Sequence, residues 1–343
     1  MTDINCSAMS GGCRTGFQSP GWYAALLAAA WFGGGLFQST ATAAEAYPQR
    51  AIRLIVPFPP GGAGDILGRM VSPKLGEALG QHIVVDNRGG GNQVIATQLT
   101  AKAPADGYTV FLASTTHGIN PGLHKNLPYD SLKDFTPITQ VAESPIIFVA
   151  HPSLGVSDIQ GLVALARSRP GRINYASPGT GTGGQISVEL LKWMTGINMV
   201  HVPYKGAGPA LIDLIAGHVQ VMCVSPLPVL PHVKSGKLRA LATTGRTRSR
   251  VAPEIPTVAE SGVPGYQSNL WYALLGPAGM PPRIVNRLHL ETGKVLKLPE
   301  VTDQLLAAGA EPVGSSPQEL AKFLRAEIDR WSKLIQAANI KPD

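Results

Sequence analysis

The stretch Val56-Pro57-Phe58-Pro59-Pro60-Gly61-Gly62-Ala63-Gly64-Asp65 joins two patterns of opposite kind. Before it, Ile52-Arg53-Leu54-Ile55-Val56 is a short apolar run of the sort that forms a buried strand, and it stops at prolines that cannot donate to a ladder. After it, Ile66, Leu67, Met70, Val71, Leu75, Ala78 and Leu79 recur at helical spacing. The reading is strand, glycine loop, helix, with Asp65 expected as the helix N-cap. Such a loop gathers backbone N–H groups at the positive end of a helix, which suits an anion. An ordinary tight turn between strand and helix has the same local signature.

Working outward, the residues before the first strand read as a leader. Tyr23 to Phe37 is an apolar run of signal-peptide size, too short for a membrane span, and small residues follow from Ser39 to Ala46. Cleavage is expected after Ala43, or as late as Ala46, leaving an exported protein without an anchor. The 343-residue chain carries 29 Lys and Arg against 22 Asp and Glu, a formal charge of +7. Removing 1–43 takes away one acid (Asp3) and one base (Arg14), so the charge is unchanged. The basic residues form no long run interleaved with aromatics, so nucleic acid is not an expected partner. Cys223 alone survives the cut, which excludes an intrachain disulfide, and its apolar neighbours read as core.

Strand and helix patterns alternate along most of the mature chain, the sign of an α/β protein with mainly parallel sheets. Pro73 is expected to kink or shorten the first helix. Tyr108 to Ala113 reads as a strand that opens into the polar segment Ser114-Thr115-Thr116-His117-Gly118, and Pro145 to Ala150 as another strand. The opening logic returns at Ile173 to Ala176, where a strand ends in Ser177-Pro178-Gly179-Thr180-Gly181-Thr182-Gly183-Gly184. A helix with Ile186, Leu190, Trp193 and Met194 on one face follows. Met199 to Val202 ends in Pro203-Tyr204-Lys205-Gly206, with Pro209 as the expected first helical residue, and Val219 to Val224 ends at Ser225. In the C-terminal helix, Leu320, Leu324, Ile328, Trp331 and Ile335 mark the buried face.

Four strand ends, around Gly61, Ser114, Gly179 and Tyr204, therefore present small polar loops, where open α/β sheets bind ligands. Catalytic patterns are missing. Gly179-x-Gly181-x-x-Gly184 matches the dinucleotide fingerprint in form, but Val202-Pro203-Tyr204-Lys205 stands where its acid belongs. The histidines show no metal-binding spacing, and neither a nucleophile elbow nor a phosphate-loop lysine occurs. No cofactor, metal or enzymatic activity is expected.

The motifs taken together resemble the Bordetella uptake gene (Bug) family, the TctC-like solute-binding proteins of tripartite tricarboxylate transport. They are P-F-P-P-G-G-x-x-D at 57–65, D-N-R at 86–88, A-D-G-Y at 105–108 and L-P-Y-D-S-x-K-D-F at 127–135. They continue as N-Y-A-S-x-G-x-G-T at 174–182, H-V-P-Y-K-G-x-G-P-A at 201–210, G-K-L-R-A-L-A at 236–242 and I-P-T-V-A-E-S-G at 255–262. The resemblance implies a two-lobed, type II-like periplasmic-binding-protein fold with two crossing hinge strands. One domain would comprise 47–146 plus 271–343 and the other 147–270, with the crossings near Ile146–Ala150 and Trp271–Leu275.

It also implies a monomer in the periplasm that holds a small carboxylate for a permease of the tripartite type, or, alternatively, senses it for a signalling partner. The ligand-binding residues carried over by position are Phe58, Pro60, Gly61, Gly62, Ala63, Gly64, Asp65, Ser114 and Thr115 in one lobe. In the other they are Ser177, Gly179, Thr180, Gly181, Thr182, Tyr204, Val224 and Ser225. The chain departs from the family pattern at four places. Gly64 stands for a common Thr, and Gly89-Gly90-Gly91-Asn92-Gln93 for Pro-Gly-Ala-Gly-Gly. Gly183-Gly184 replaces a Ser-His pair, and Val224 replaces a frequent Asp. Without that acid, a ligand bearing an ammonium group is disfavoured and a purely anionic or partly aromatic carboxylate is favoured.

Overall fold

The computed structural model describes residues 47–341, so the expected leader lies outside the described residues. The chain begins with β1 (Ile52–Val56), α1 (Ala63–Leu79), β2 (Ile83–Asn87), α2 (Val94–Ala101), β3 (Thr109–Ser114), α3 (Thr115–Leu123) and β4 (Phe135–Ser144). Next come β5 (Ile147–Ala150), α4 (Ile159–Ser168), β6 (Asn174–Ser177), α5 (Gly183–Thr195) and β7 (Val200–Pro203). They are followed by α6 (Ala207–Ile215), β8 (Val221–Val224), α7 (Pro226–Lys234) and β9 (Arg239–Thr243). The chain returns through β10 (Leu270–Pro277) and ends with α8 (Pro282–Val295), α9 (Pro299–Ala307), β11 (Glu311–Pro312) and α10 (Pro317–Ala337).

Two sheets result. A six-stranded sheet has the order β11-β4-β10-β3-β1-β2, and a five-stranded sheet the order β7-β6-β8-β5-β9. The chain changes sheet at Pro145-Ile146 and again between Thr243 and Leu270. Both sheets are mixed, where mainly parallel ones were expected. β1 is parallel to β2 and β3, and β6 to β7 and β8. The strands that bring the chain into each sheet, β5 and β10, run antiparallel to their neighbours. Because of this, β5 and β10 begin beside the points where β8 and β3 end: Ile147 lies opposite Val224, and Tyr272 opposite Ser114.

Each sheet is covered on both faces, which is why its strands read as unbroken apolar runs. Along β5, Ile147 and Val149 enter one cluster with Leu214 and Val229, while Phe148 and Ala150 enter another with Ile159 and Leu162. That second cluster does not stop at the sheet's own helices. It takes in Ile119 and Leu123 of α3 and Trp331, Leu334 and Ile335 of α10, so one apolar core joins the two halves of the molecule.

Several local expectations are corrected. Asp65 is not the N-cap of α1. Gly62 is, and Asp65 sits in the first turn. α1 runs through Pro73 to Leu79 without being cut short. The segment Ser114 to Gly118 is helical from Thr115, and α3 contains Pro121, whose missing N–H leaves the His117 carbonyl to accept from the Ser131 hydroxyl at 3.2 Å. β4 was hidden by Pro137, which the ladder accommodates beside an irregularity between Leu274 and Leu275. α6 starts at Ala207, two residues before Pro209.

Trp193 is 58% exposed, not core. Every residue from Gly184 to Leu191 is buried, so the first half of α5 has no outer face, and Trp193 lies where the helix emerges. In α10 the buried face includes Glu327. Its Oε2 accepts from the indole N–H groups of Trp271 and Trp331, both at 2.9 Å, and Oε1 pairs with Arg330. Burial pushes the Glu327 carboxyl upward against the pull of Arg330 and the two indoles.

Trp331 is fully buried, supplies one of these bonds and stands in the core common to both halves. Trp331→Ala should lower unfolding stability by about 3–5 kcal/mol, read from urea denaturation. A loss under about 1 kcal/mol would show that α10 does not anchor that core.

Candidate functional site

The carboxyl ends of β1, β3, β6, β7 and β8 turn toward the gap between the two sheets, and a cavity of about 300 Å³ lies there. Its wall includes Phe58, Ala63, Asn92, Gln93, Ser114, Thr115 and Thr116 from the first lobe, and Pro178, Thr182, Gly183, Gly184, Ala207, Cys223, Val224 and Ser225 from the second. Ile146, Leu270, Trp271 and Tyr272, from the two crossings, complete it. Among these described residues none is Lys, Arg, His, Asp or Glu. A larger groove of about 760 Å³ runs along the outside of α1, lined by Arg69, Glu77, Gln81 and His82. It meets the carbonyl end of α1 at Gly76 to Gly80, the wrong end of a helix for an anion.

Helix starts converge on the inter-lobe cavity. Ala63 is the first residue of α1, Thr115 of α3, Gly183 of α5 and Ala207 of α6, while Gln93 and Ser225 precede α2 and α7. None of these six helices has a side-chain cap. Among the helices with no residue in the wall, α4 is capped by Asp158 and α10 by a Ser316–Glu319 capping box, while α8 and α9 begin with proline, as α7 does at Pro226. Uncapped helices leave first-turn N–H groups for something else to satisfy, and their dipoles add a positive potential. The hydroxyls of Thr115, Thr116, Ser225 and Tyr272 stand in the same wall. Tyr272 is held protonated, its pKa pushed up to about 12 by burial.

The first glycine loop is built differently from the nest expected of it. Asp65 is buried and accepts from the Gly61 N–H at 2.8 Å, from Arg69 Nε at 2.9 Å and from Asn87 Nδ2 at 2.9 Å. Burial pushes its carboxyl up, but the Gly61 N–H, Asn87 and Arg69 outweigh it and hold the group below the usual carboxylate range. Asp65 thus shapes the loop and takes the Gly61 N–H for itself. Gly64 lies under the Phe58 ring. A Cβ there would sit 2.2 Å from a ring carbon, which gives the exchange of Thr for Gly a steric reason. Phe58 in turn faces Tyr272 across 6.2 Å between centroids.

In the second loop, Ser177 bonds to His201 Nε2 at 2.7 Å and accepts from the Gly179 N–H, while the Thr182 hydroxyl donates to the Gly179 carbonyl. The Gly181 N–H donates to Gln185 Oε1 at 2.7 Å. Gly184 packs so closely on β8 that a Cβ would meet the Cys223 carbonyl at 2.5 Å. Of the residues singled out from sequence, Phe58, Ala63, Ser114, Thr115, Thr182, Val224 and Ser225 line the cavity. Pro60, Gly61, Gly62, Gly64, Asp65, Ser177, Gly179, Thr180, Gly181 and Tyr204 lie behind or beside it. Tyr204 directs its hydroxyl to Asp213 at 2.6 Å. The sequence reading missed Asn92 and Gln93 and, in the wall, the starts of β5 and β10, which their antiparallel entry brings beside the ends of β8 and β3.

The sequence profile described as the tripartite tricarboxylate transporter family receptor matches residues 67–340. The chain belongs to this receptor family. BugT of Bordetella pertussis is 37% identical over 314 residues, covering 90% of this chain and 96% of BugT. Among solved structures, Rhodopseudomonas palustris Rpa4515, described with adipate, superposes with a TM-score of 0.76 at 37% identity, over 87% of this chain and all of that one. MatC from the same organism, described with bound malate, gives 0.72 at 31% identity, over 84% of this chain and all of that one. The family receptor described here is therefore a solute-binding protein with the two-lobed periplasmic-binding-protein fold.

Two tests follow from this geometry. The stability that Asp65 supplies through its depressed pKa is complete above the unfolded carboxylate value of about 4 and is lost as pH falls through the folded value. Asp65→Asn should cost about 1–3 kcal/mol at pH 7, and its gap to wild type in urea midpoints should narrow at pH 3. A gap independent of pH would contradict the charged role.

Gly181 faces the opposite lobe, where a Cβ would meet Leu123 at 2.6 Å and Asn92 at 3.1 Å. Gly181 also has φ +75°, so Gly181→Val should both strain its loop and oppose closure of the lobes, with ligand affinity falling at least about tenfold. Unchanged affinity would place Gly181 outside the closing contact.

Proposed function

We propose that this receptor captures a small organic acid in the inter-lobe cavity, in the periplasm, and presents it to a membrane permease of the tripartite tricarboxylate type without chemical turnover. The observation that carries this reading is the convergence of the starts of α1, α3, α5 and α6, none with a side-chain cap, on a cavity whose described wall contains no charged side chain. Such a wall offers many donors and no fixed countercharge, so the field of the helices favours an anion, and main-chain N–H groups fit carboxylate oxygens.

Adipate and malate, the molecules with which two similar structures are described, support a carboxylate as the ligand class. Val224 is an apolar wall residue at the end of β8, and with no acid in the wall an ammonium group would have no charged partner. Apolar surface from Phe58, Ile146, Val224 and Leu270 suits the carbon skeleton of the acid. Closure brings the two sets of helix starts onto one ligand, whose differential contacts bias the hinge.

The test is thermal unfolding of residues 47–343 against adipate, malate, benzoate, aspartate and glutamate. An acid at about 100 times its dissociation constant adds roughly 2.7 kcal/mol, a clear rise in melting temperature. A rise with adipate, malate or benzoate is expected. A rise with the amino acids alone would overturn the reading of Val224. No rise in protein shown by mass spectrometry to carry no copurified acid would overturn carboxylate capture.

A further inference from the structure

The turn between β2 and α2 has an unusual backbone. Gly90, Gly91, Asn92 and Gln93 all have positive φ, at 108°, 55°, 49° and 70°. Glycine accepts this region freely, but Asn92 and Gln93 carry side chains there. A residue that holds a left-handed conformation where glycine would relax it is kept for what its side chain does.

Both side chains are fixed. Asn92 Nδ2 donates to Asn120 Oδ1, and Asn120 Nδ2 donates to the Asn92 carbonyl, each at 2.9 Å. The Gln93 carbonyl accepts from the Thr97 hydroxyl at 2.8 Å, and its side-chain Oε1 accepts from the Ser114 hydroxyl at 2.9 Å. Gln93 is only 7% exposed, and the surface it retains is in the cavity wall. With Oε1 taken by Ser114, the group left for the cavity is Nε2. Among the described residues Nε2 has no hydrogen-bond partner, and it is not one of the polar atoms sealed from solvent.

We propose that Gln93 is a specificity-determining ligand contact, its side-chain amide donating to an oxygen of the bound acid from the first lobe. This rests on the carboxylate reading of the cavity. Ser114 and the Asn92–Asn120 pair hold the amide in place before ligand arrives, so little freedom is lost on binding. An N–H donor there recognises a carboxylate, keto or hydroxyl oxygen and gives nothing to an ammonium group.

The experiment is isothermal titration of wild type, Gln93→Gly and Gln93→Glu with adipate, malate and benzoate, alongside melting of each protein without ligand. Gln93→Gly removes the donor and relaxes the backbone. Gln93→Glu keeps the shape and an oxygen facing Ser114 but turns an acceptor toward the ligand. Both variants should bind the acid that wild type prefers roughly tenfold to a hundredfold more weakly, with Gln93→Gly melting no lower than wild type. Affinity of Gln93→Glu within threefold of wild type, or tighter, would overturn the contact while leaving carboxylate capture intact. Were Gln93→Gly not to fold, Gln93→Glu alone would decide. Wild type that binds none of the three acids would overturn carboxylate capture, and this contact with it.

Discussion

Six helices begin at one cavity and none of them is capped by its own side chains. That constraint organises the molecule. Parallel strands in both sheets end facing the gap, and each is followed by a tight loop and a helix whose N-terminus must lie close to the strand end. Elsewhere Asp158 and a Ser316–Glu319 box cap helix starts, and α8 and α9 begin with proline, as α7 does at the cavity. Around the cavity the chain leaves first-turn donors to solvent, where they are available to the proposed acid. Under that proposal no buried lysine or arginine is needed, and no strong ion pair has to be broken on release.

The two lobes are not independent bodies joined only by strands. The first half of α5 is enclosed on all sides, and the core it shares with α3 and α10 reaches from one sheet to the other. Polar ties run through the same region. Trp271 at the start of β10 donates its backbone N–H to the Thr115 hydroxyl and its indole N–H to Glu327, while Arg330 donates to the Gln267 carbonyl. Trp271 and Thr115 both line the cavity. β10, α10 and the cavity wall therefore share hydrogen bonds.

Much of this was legible in the sequence because it depends on local pattern. Apolar runs ending in glycine loops marked β1, β6 and the helices after them, and Cys223 among apolar neighbours marked a core strand. The failures came where distant residues decide. Asp65 looks like a cap from its place beside a helix start, yet Asn87 and Arg69 draw it inward to hold the loop. Trp193 and Glu327 invert the usual assignment because α5 is surrounded and because two indole donors make a buried carboxylate tolerable. Pro121 stands inside α3 and Pro137 inside β4, where the Ser131 hydroxyl and a ladder irregularity accommodate the missing N–H groups. Ile146, Leu270, Trp271 and Tyr272 were missed because residues at the start of an antiparallel strand meet those at the end of its neighbour, and strand direction is not written in a short apolar run.

Under the proposed function, main-chain N–H groups at helix starts, not a charged side chain, hold the ligand's acid group. A crystal structure of the protein with the acid that most raises its melting temperature tests this directly. The ligand should lie in the inter-lobe cavity, its carboxylate oxygens within about 2.7–3.2 Å of first-turn N–H groups of α3 or α5. A carboxylate paired instead with a lysine or arginine, or seated in the outer groove beside α1, would contradict it.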